Sequence, residues 1–150
     1  MDVRIVALIV AALAGATMAV QGTLNSALGK AVGLWEMTLI VHVIGAAIAA
    51  VLVFLFKMGT LDLAKWATAP WYTYLGGALS LLIIYAVARS IPKIGVAPAT
   101  TAIVFCQILT AGLIDHFGLF GLQRVSFSWY RAVGVVLMAV GAWLILFRSN

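Results

Sequence analysis

Inside long apolar stretches stand five polar or aromatic side chains that could handle a solute: Gln21, Asn25, His42, Tyr85 and Gln107. Their spacing is not that of a reaction centre. The chain has no phosphate-cradling glycine loop, no dinucleotide glycine pattern, no metal cluster and no nucleophile beside a base at a known spacing. Amides donate and accept hydrogen bonds, and a phenol ring packs against a solute. An imidazole does both, and also changes charge near neutral pH. The set points to binding and to a proton carrier, not to an enzyme, and no cofactor or metal is expected.

Each of these residues also has a plainer reading. Gln21 lies one helical turn from Thr17 and from Asn25, so the three share a face. That face either binds a solute or hydrogen-bonds at the membrane edge. His42 follows Thr38 by one turn. A histidine in a span is costly when charged and marks a candidate site, but a neutral histidine bonded to a neighbouring helix has the same sequence. Gln107 shares a face with Thr100 and Thr110, as either a solute contact or interhelical glue. Arg89, one turn after Tyr85, reads as an interface cation, with a substrate role as the other reading. Asp115 and His116 end an apolar run as a charged pair, a cap or a headgroup contact. Cys106 reads as a small apolar filler.

The elements that carry these residues are membrane spans. The chain is 65% hydrophobic and 9% charged, with mean hydropathy +1.19, whereas soluble domains are about 25% charged. Charge-free runs cover 5–29, 37–56, 66–88, 94–114 and 132–147, and a bilayer core takes about 20 apolar residues per helix. The expectation is an all-α integral membrane protein, a single transmembrane domain over residues 1–150. Its spans are placed near 5–24, 37–56, 71–88, 97–117 and 129–147. The apolar character continues past Ala19, so the first run reads as a span and not as a cleaved leader. Connections are expected at 29–36 and at 90–98, with a short interfacial helix near 60–66. Trp66, Trp71, Tyr72 and Tyr74 form an aromatic belt. Small residues recur every four positions at Ala7, Ala11, Gly15 and Ala19, and Gly76, Gly77 and Ser80 or Gly134 and Gly141 also suit close helix packing.

Charge bears on orientation. With five spans, Arg4, Lys57, Lys65, Arg124 and Arg131 fall on one side and Lys30, Arg89, Lys93 and Arg148 on the other, five against four. The positive-inside rule needs asymmetry, so near balance lets the chain insert both ways up. Two inverted copies would form a ten-helix body, supplying between chains the inverted repeat that many transporters hold within one. The net charge of +5 is dispersed and forms no basic patch, so nucleic acid is not an expected partner.

The run GGALSLLIIYAVARSIPKIGVAPATTA from Gly76, then QIL, then DHFGLFG at 115–121, with VQGTLNSALGK at 20–30, resembles the YdcZ-type family of small membrane proteins. That family is placed in the drug/metabolite transporter superfamily. The resemblance implies a bacterial inner-membrane, multi-pass exporter acting as a pair of inverted five-helix units. It makes Gln21, Asn25, Gln107, Asp115 and His116 candidates. The small multidrug resistance branch of that superfamily has four spans and an acidic residue in its first span, whereas no Asp or Glu lies mid-span here. Carboxylate-based exchange of a cationic drug for protons is therefore not expected, and a neutral or zwitterionic solute fits better. The reading is a small-solute exporter working by alternating access as a dual-topology homodimer, its site lined by Gln21, Asn25, His42, Tyr85 and Gln107. The alternative is a non-transporting membrane subunit, or a half-transporter that needs an oppositely oriented partner chain.

Overall fold

In hydrocarbon every backbone N–H and C=O must find a partner within its own segment, so an apolar chain of this kind has helix as its stable conformation. The computed structural model describes residues 2–59, 62–66, 68–126 and 128–147, and all regular structure among them is helical. Five helical segments are long and apolar enough to cross a membrane: Val3–Val32, Leu34–Leu55, Trp71–Ile94, Val96–Phe117 and Trp129–Phe147.

Helix α1 (Val3–Val32) starts at Asp2, whose carboxylate accepts from the Arg4 N–H at 3.0 Å. It runs 30 residues, about 45 Å at 1.5 Å per residue, well past the expected end at 24. The reason lies in its last turns. Gly22, Asn25, Ser26 and Gly29 form a buried stripe of small and polar residues, and packing keeps them helical. Helix α2 (Leu34–Ala50) follows after one residue, Gly33, with φ +102°, so the expected connection at 29–36 contracts to a single glycine. The last turn of this span, Val51–Leu55, widens to a π-helix. A short α3 (Leu63–Trp66) stands where an interfacial helix was expected; positions 60 and 61 lie outside the described residues.

Pro70 caps a 3₁₀ turn, Trp71–Tyr74, that leads into α4 (Leu75–Ile94). This helix passes through Pro92, and the expected turn at 90–98 shrinks to Gly95, with φ +88°. In α5 (Val96–Phe117), Pro98 occupies the first turn, where no intrahelical N–H is needed. Gly118 ends α5 in the left-handed conformation, and a 3₁₀ turn, Leu119–Gly121, precedes α6 (Trp129–Phe147).

The chain divides into two compact units, Met1–Lys93 and Ile94–Asn150. In the first, α1 packs on α2. Space for a Cβ on Gly22 is closed at 2.9 Å by Val87 and at 3.3 Å by Ile91, which brings α4 against α1. Gly29 meets Leu34 and Met37, and Met37, Ala88 and Ile91 are the buried apolar residues at this junction. In the second unit, α5 packs along α6. Most other large apolar side chains are exposed on the chain. Gly15, Gly45, Gly76, Gly77, Gly134 and Gly141 have nothing within 4 Å of a modest added methyl, so the small-residue faces expected to pack helices are uncovered within the described residues.

Candidate functional site

The first unit gathers polar groups where α1, α2 and α4 meet. Thr38 is buried, and its hydroxyl donates to the Leu34 carbonyl at 2.7 Å. His42, one turn on, has Nδ1 2.7 Å from the Thr38 carbonyl and Nε2 2.9 Å from Ser80 Oγ of α4. A carbonyl only accepts, so Nδ1 carries a proton. In the neutral imidazole Nε2 is then the acceptor and the Ser80 hydroxyl donates to it. A second proton on Nε2 would reverse that bond, with Ser80 accepting. The pair thus ties α2 to α4 in either charge state, and the serine hydroxyl reports which one holds.

Closer to the Gly33 turn, Trp35 of α2 stacks on Tyr85 of α4, with ring centroids 4.5 Å apart and planes at 29°. Arg89 Nη1 donates to the Tyr85 hydroxyl at 3.0 Å, and its guanidinium carbon lies 6.0 Å from the ring centroid. On α1, Asn25 and Ser26 are 6% and 3% exposed. Neither side chain has a hydrogen-bond partner among the described residues, yet neither is sealed off. Among the described residues, the unpartnered side-chain polar atom that is sealed is His116 Nδ1. The Asn25 amide and Ser26 hydroxyl are therefore nearly buried on α1 and keep free hydrogen-bonding capacity.

Of the five residues expected to line a site, Asn25, His42 and Tyr85 belong to this junction of three helices. Gln21 lies one turn before Asn25 on α1 but is exposed, and its amide is not engaged. Gln107 lies in the second unit, exposed on α5. Cys106 beside it is also exposed and fills no core.

The DHFGLFG run has a different role. The Asp115 carbonyl accepts from the N–H groups of Gly118 and Val125, at 3.3 and 2.9 Å. Asp115 Oδ2 sits 3.4 Å from Arg131 Nη1 on α6, and Arg124 Nε donates to the His116 carbonyl at 2.9 Å. Asp115 thus pairs with an arginine and not with His116. The run closes α5 and fastens it to the first turn of α6. His116 also borders a cavity of about 450 Å³ whose other walls are Ile108, Leu109, Gly112, Leu113 and Val135. Among the described residues no group of His, Cys, Asp and Glu is arranged to hold a metal ion.

A family model described as "Putative inner membrane exporter, YdcZ" matches residues 6–144. The chain belongs to the YdcZ family. The inner membrane protein YdcZ of Escherichia coli K12 is 24% identical over 138 residues, covering 91% of each chain. No solved structure matches the chain significantly. This member of the YdcZ family is a multi-pass inner membrane protein, and the family description is of an exporter, not an enzyme.

Three parts of the junction escaped sequence reasoning. Ser80 reads in the sequence as a packing residue, and Trp35 and Ser26 carry no site signal of their own there. The available signal was weak: Ser26 follows Asn25 within the VQGTLNSALGK match, and Tyr85 with Arg89 already formed an aromatic–cation step on α4.

Proposed function

We propose that this YdcZ-family protein exports a small neutral or zwitterionic solute by alternating access, as one transmembrane domain paired with an inverted second copy of itself. The observation that carries the reading is the pair of nearly buried polar side chains, Asn25 and Ser26, without a hydrogen-bond partner among the described residues. Amide and hydroxyl groups buried in a helical membrane protein are ordinarily hydrogen-bonded, and leaving them unpaired costs about 1–3 kcal/mol each. A passing solute is the partner that justifies them. His42 is the proton carrier of this reading: its Nε2 takes up or releases the proton, and Ser80 reverses its hydroxyl in step. Gln21 extends the polar face along α1, and Tyr85 packs against the solute. The uncovered faces at Gly15, Gly76 and Gly134 suit close approach by a second copy.

The test is transport by the purified protein alone. Reconstituted into liposomes preloaded with radiolabelled amino acids and small neutral metabolites, it is expected to release at least one of them well above protein-free vesicles. Absence of flux for the whole panel, with protein shown to be folded and inserted, would favour the membrane-subunit alternative.

A further inference from the structure

The geometry points to Arg89 as the residue that receives a carboxylate, and so to a solute class that carries one. Three observations within the first unit converge on this. Arg89 has no carboxylate within ion-pair distance among the described residues, in contrast to Lys65 with Asp62 and Arg131 with Asp115. Its guanidinium is held in place nonetheless: Nη1 rests on the Tyr85 hydroxyl, and Tyr85 is in turn clamped by the stack on Trp35. The support is Tyr85, one turn earlier on the same helix α4, and Trp35 of α2 fixes that ring in turn. A planar guanidinium fixed through one nitrogen keeps its remaining N–H donors free in the fork that matches a carboxylate.

The second observation is the charge at this end of the unit. The α1–α2 turn and the C-terminal turns of α4 lie together, through the Trp35–Tyr85 stack and the contacts of Gly22 with Val87 and Ile91. This end holds Lys30, Arg89 and Lys93 against one carboxylate, Glu36. Glu36 is folded back over Gly33, which leaves it turned to its own helix start. No Asp or Glu lies in the middle of a span, and neither ion pair among the described residues involves Arg89.

The third is the unengaged amide of Asn25 with the hydroxyl of Ser26 on α1, more than nine-tenths buried and without a partner among the described residues. These two read the uncharged part of a solute whose carboxylate sits on Arg89. The inference rests on the transporter reading for the word substrate, and it narrows the neutral-or-zwitterionic class to its carboxylate-bearing members.

Binding tests it separately from transport. Purified protein in detergent is titrated with matched pairs that differ only at the acid: leucine against leucinamide, and phenylalanine against phenylalaninamide, followed by intrinsic tryptophan fluorescence. At least one acid is expected to bind at least tenfold more tightly than its amide. Arg89→Gln should abolish that preference and Arg89→Lys should restore part of it, while Arg4→Gln at the other end of α1 leaves it intact. Thermal unfolding of each variant without solute reads any loss of fold. Equal binding of acid and amide, binding of neither acid, or a folded Arg89→Gln variant that keeps the preference would each overturn the assignment. Retained acid binding without flux of the bound acid in liposomes would leave Arg89 in place and remove the transporter reading.

Discussion

At the scale of single residues, the informative feature is a hydrogen bond whose direction is fixed. The Thr38 carbonyl accepts from His42 Nδ1, so only Nε2 is free to change its proton. Ser80 is the group that answers the change. The proposed proton-carrying role therefore makes different demands on the two residues. His42→Ala removes the carrier, and Ser80→Ala removes only the partner. If the pair couples export to protons, His42→Ala should transport without response to an imposed pH gradient. Ser80→Ala should keep the response. The check is efflux from liposomes at a series of internal and external pH values. Unchanged pH dependence in His42→Ala would reduce the pair to an interhelical tie, worth about 0.5–1.5 kcal/mol as an ordinary hydrogen bond. The histidine was visible in the sequence because an imidazole is conspicuous in an apolar run. Ser80 was not, because a lone serine in a span ordinarily bonds to its own helix, and its partner here lies 38 positions away.

At the scale of elements, hydropathy identified the helices but misplaced several of their ends. The runs near 37–56 and 129–147 end close to where the helices do, because the apolar stretch and the helix stop together. On α1 and α4 they do not. Polar residues from Gln21 to Lys30 remain helical because Gly22, Asn25, Ser26 and Gly29 pack against α2 and α4, and tertiary contact overrides the polar signal. Pro92 lies within α4, so the break falls on Gly95, where a positive φ is available. The most specific stretch of the chain, DHFGLFG, proves to be the end of an element, closed by Gly118 at φ +62°. A Cβ there would stand 3.2 Å from the Leu122 carbonyl oxygen and 3.3 Å from Arg124 Cβ. Gly118→Ala should therefore destabilise the α5–α6 hairpin by about 1–2 kcal/mol, the cost of a left-handed L-residue, with any crowding added. A lowered unfolding temperature is expected, with the acid-over-amide preference of the first unit unchanged. Loss of solute binding at an unchanged unfolding temperature would instead move the signature from structure to site.

At the scale of the whole molecule, the uncovered surfaces and the charge balance bear on the same question. Gly15, Gly76 and Gly77 in the first unit, and Gly134 and Gly141 in the second, have nothing within 4 Å of an added Cβ among the described residues, and lipid has no use for a glycine face, whereas another helix does. Five basic residues on one side against four on the other leave the membrane potential and the insertion machinery little to act on. A chain that inserts in both orientations supplies its own inverted partner, and a symmetric pair related by an axis in the membrane plane needs no second gene product. The prediction is that the population is mixed. With the exposed Cys106 replaced by alanine and Gln123→Cys placed in the exposed connection between α5 and α6, a membrane-impermeant thiol reagent should label about half of the protein in intact cells. The rest should react only after permeabilisation. Labelling of all or of none before permeabilisation means a single orientation, and the inverted homodimer then fails. The glycine faces would in that case be covered by a parallel copy or by an oppositely inserted partner chain. Crosslinking through a cysteine at Gly15 distinguishes those two, because only the parallel copy brings like positions to the same depth in both chains while leaving a single labelled population.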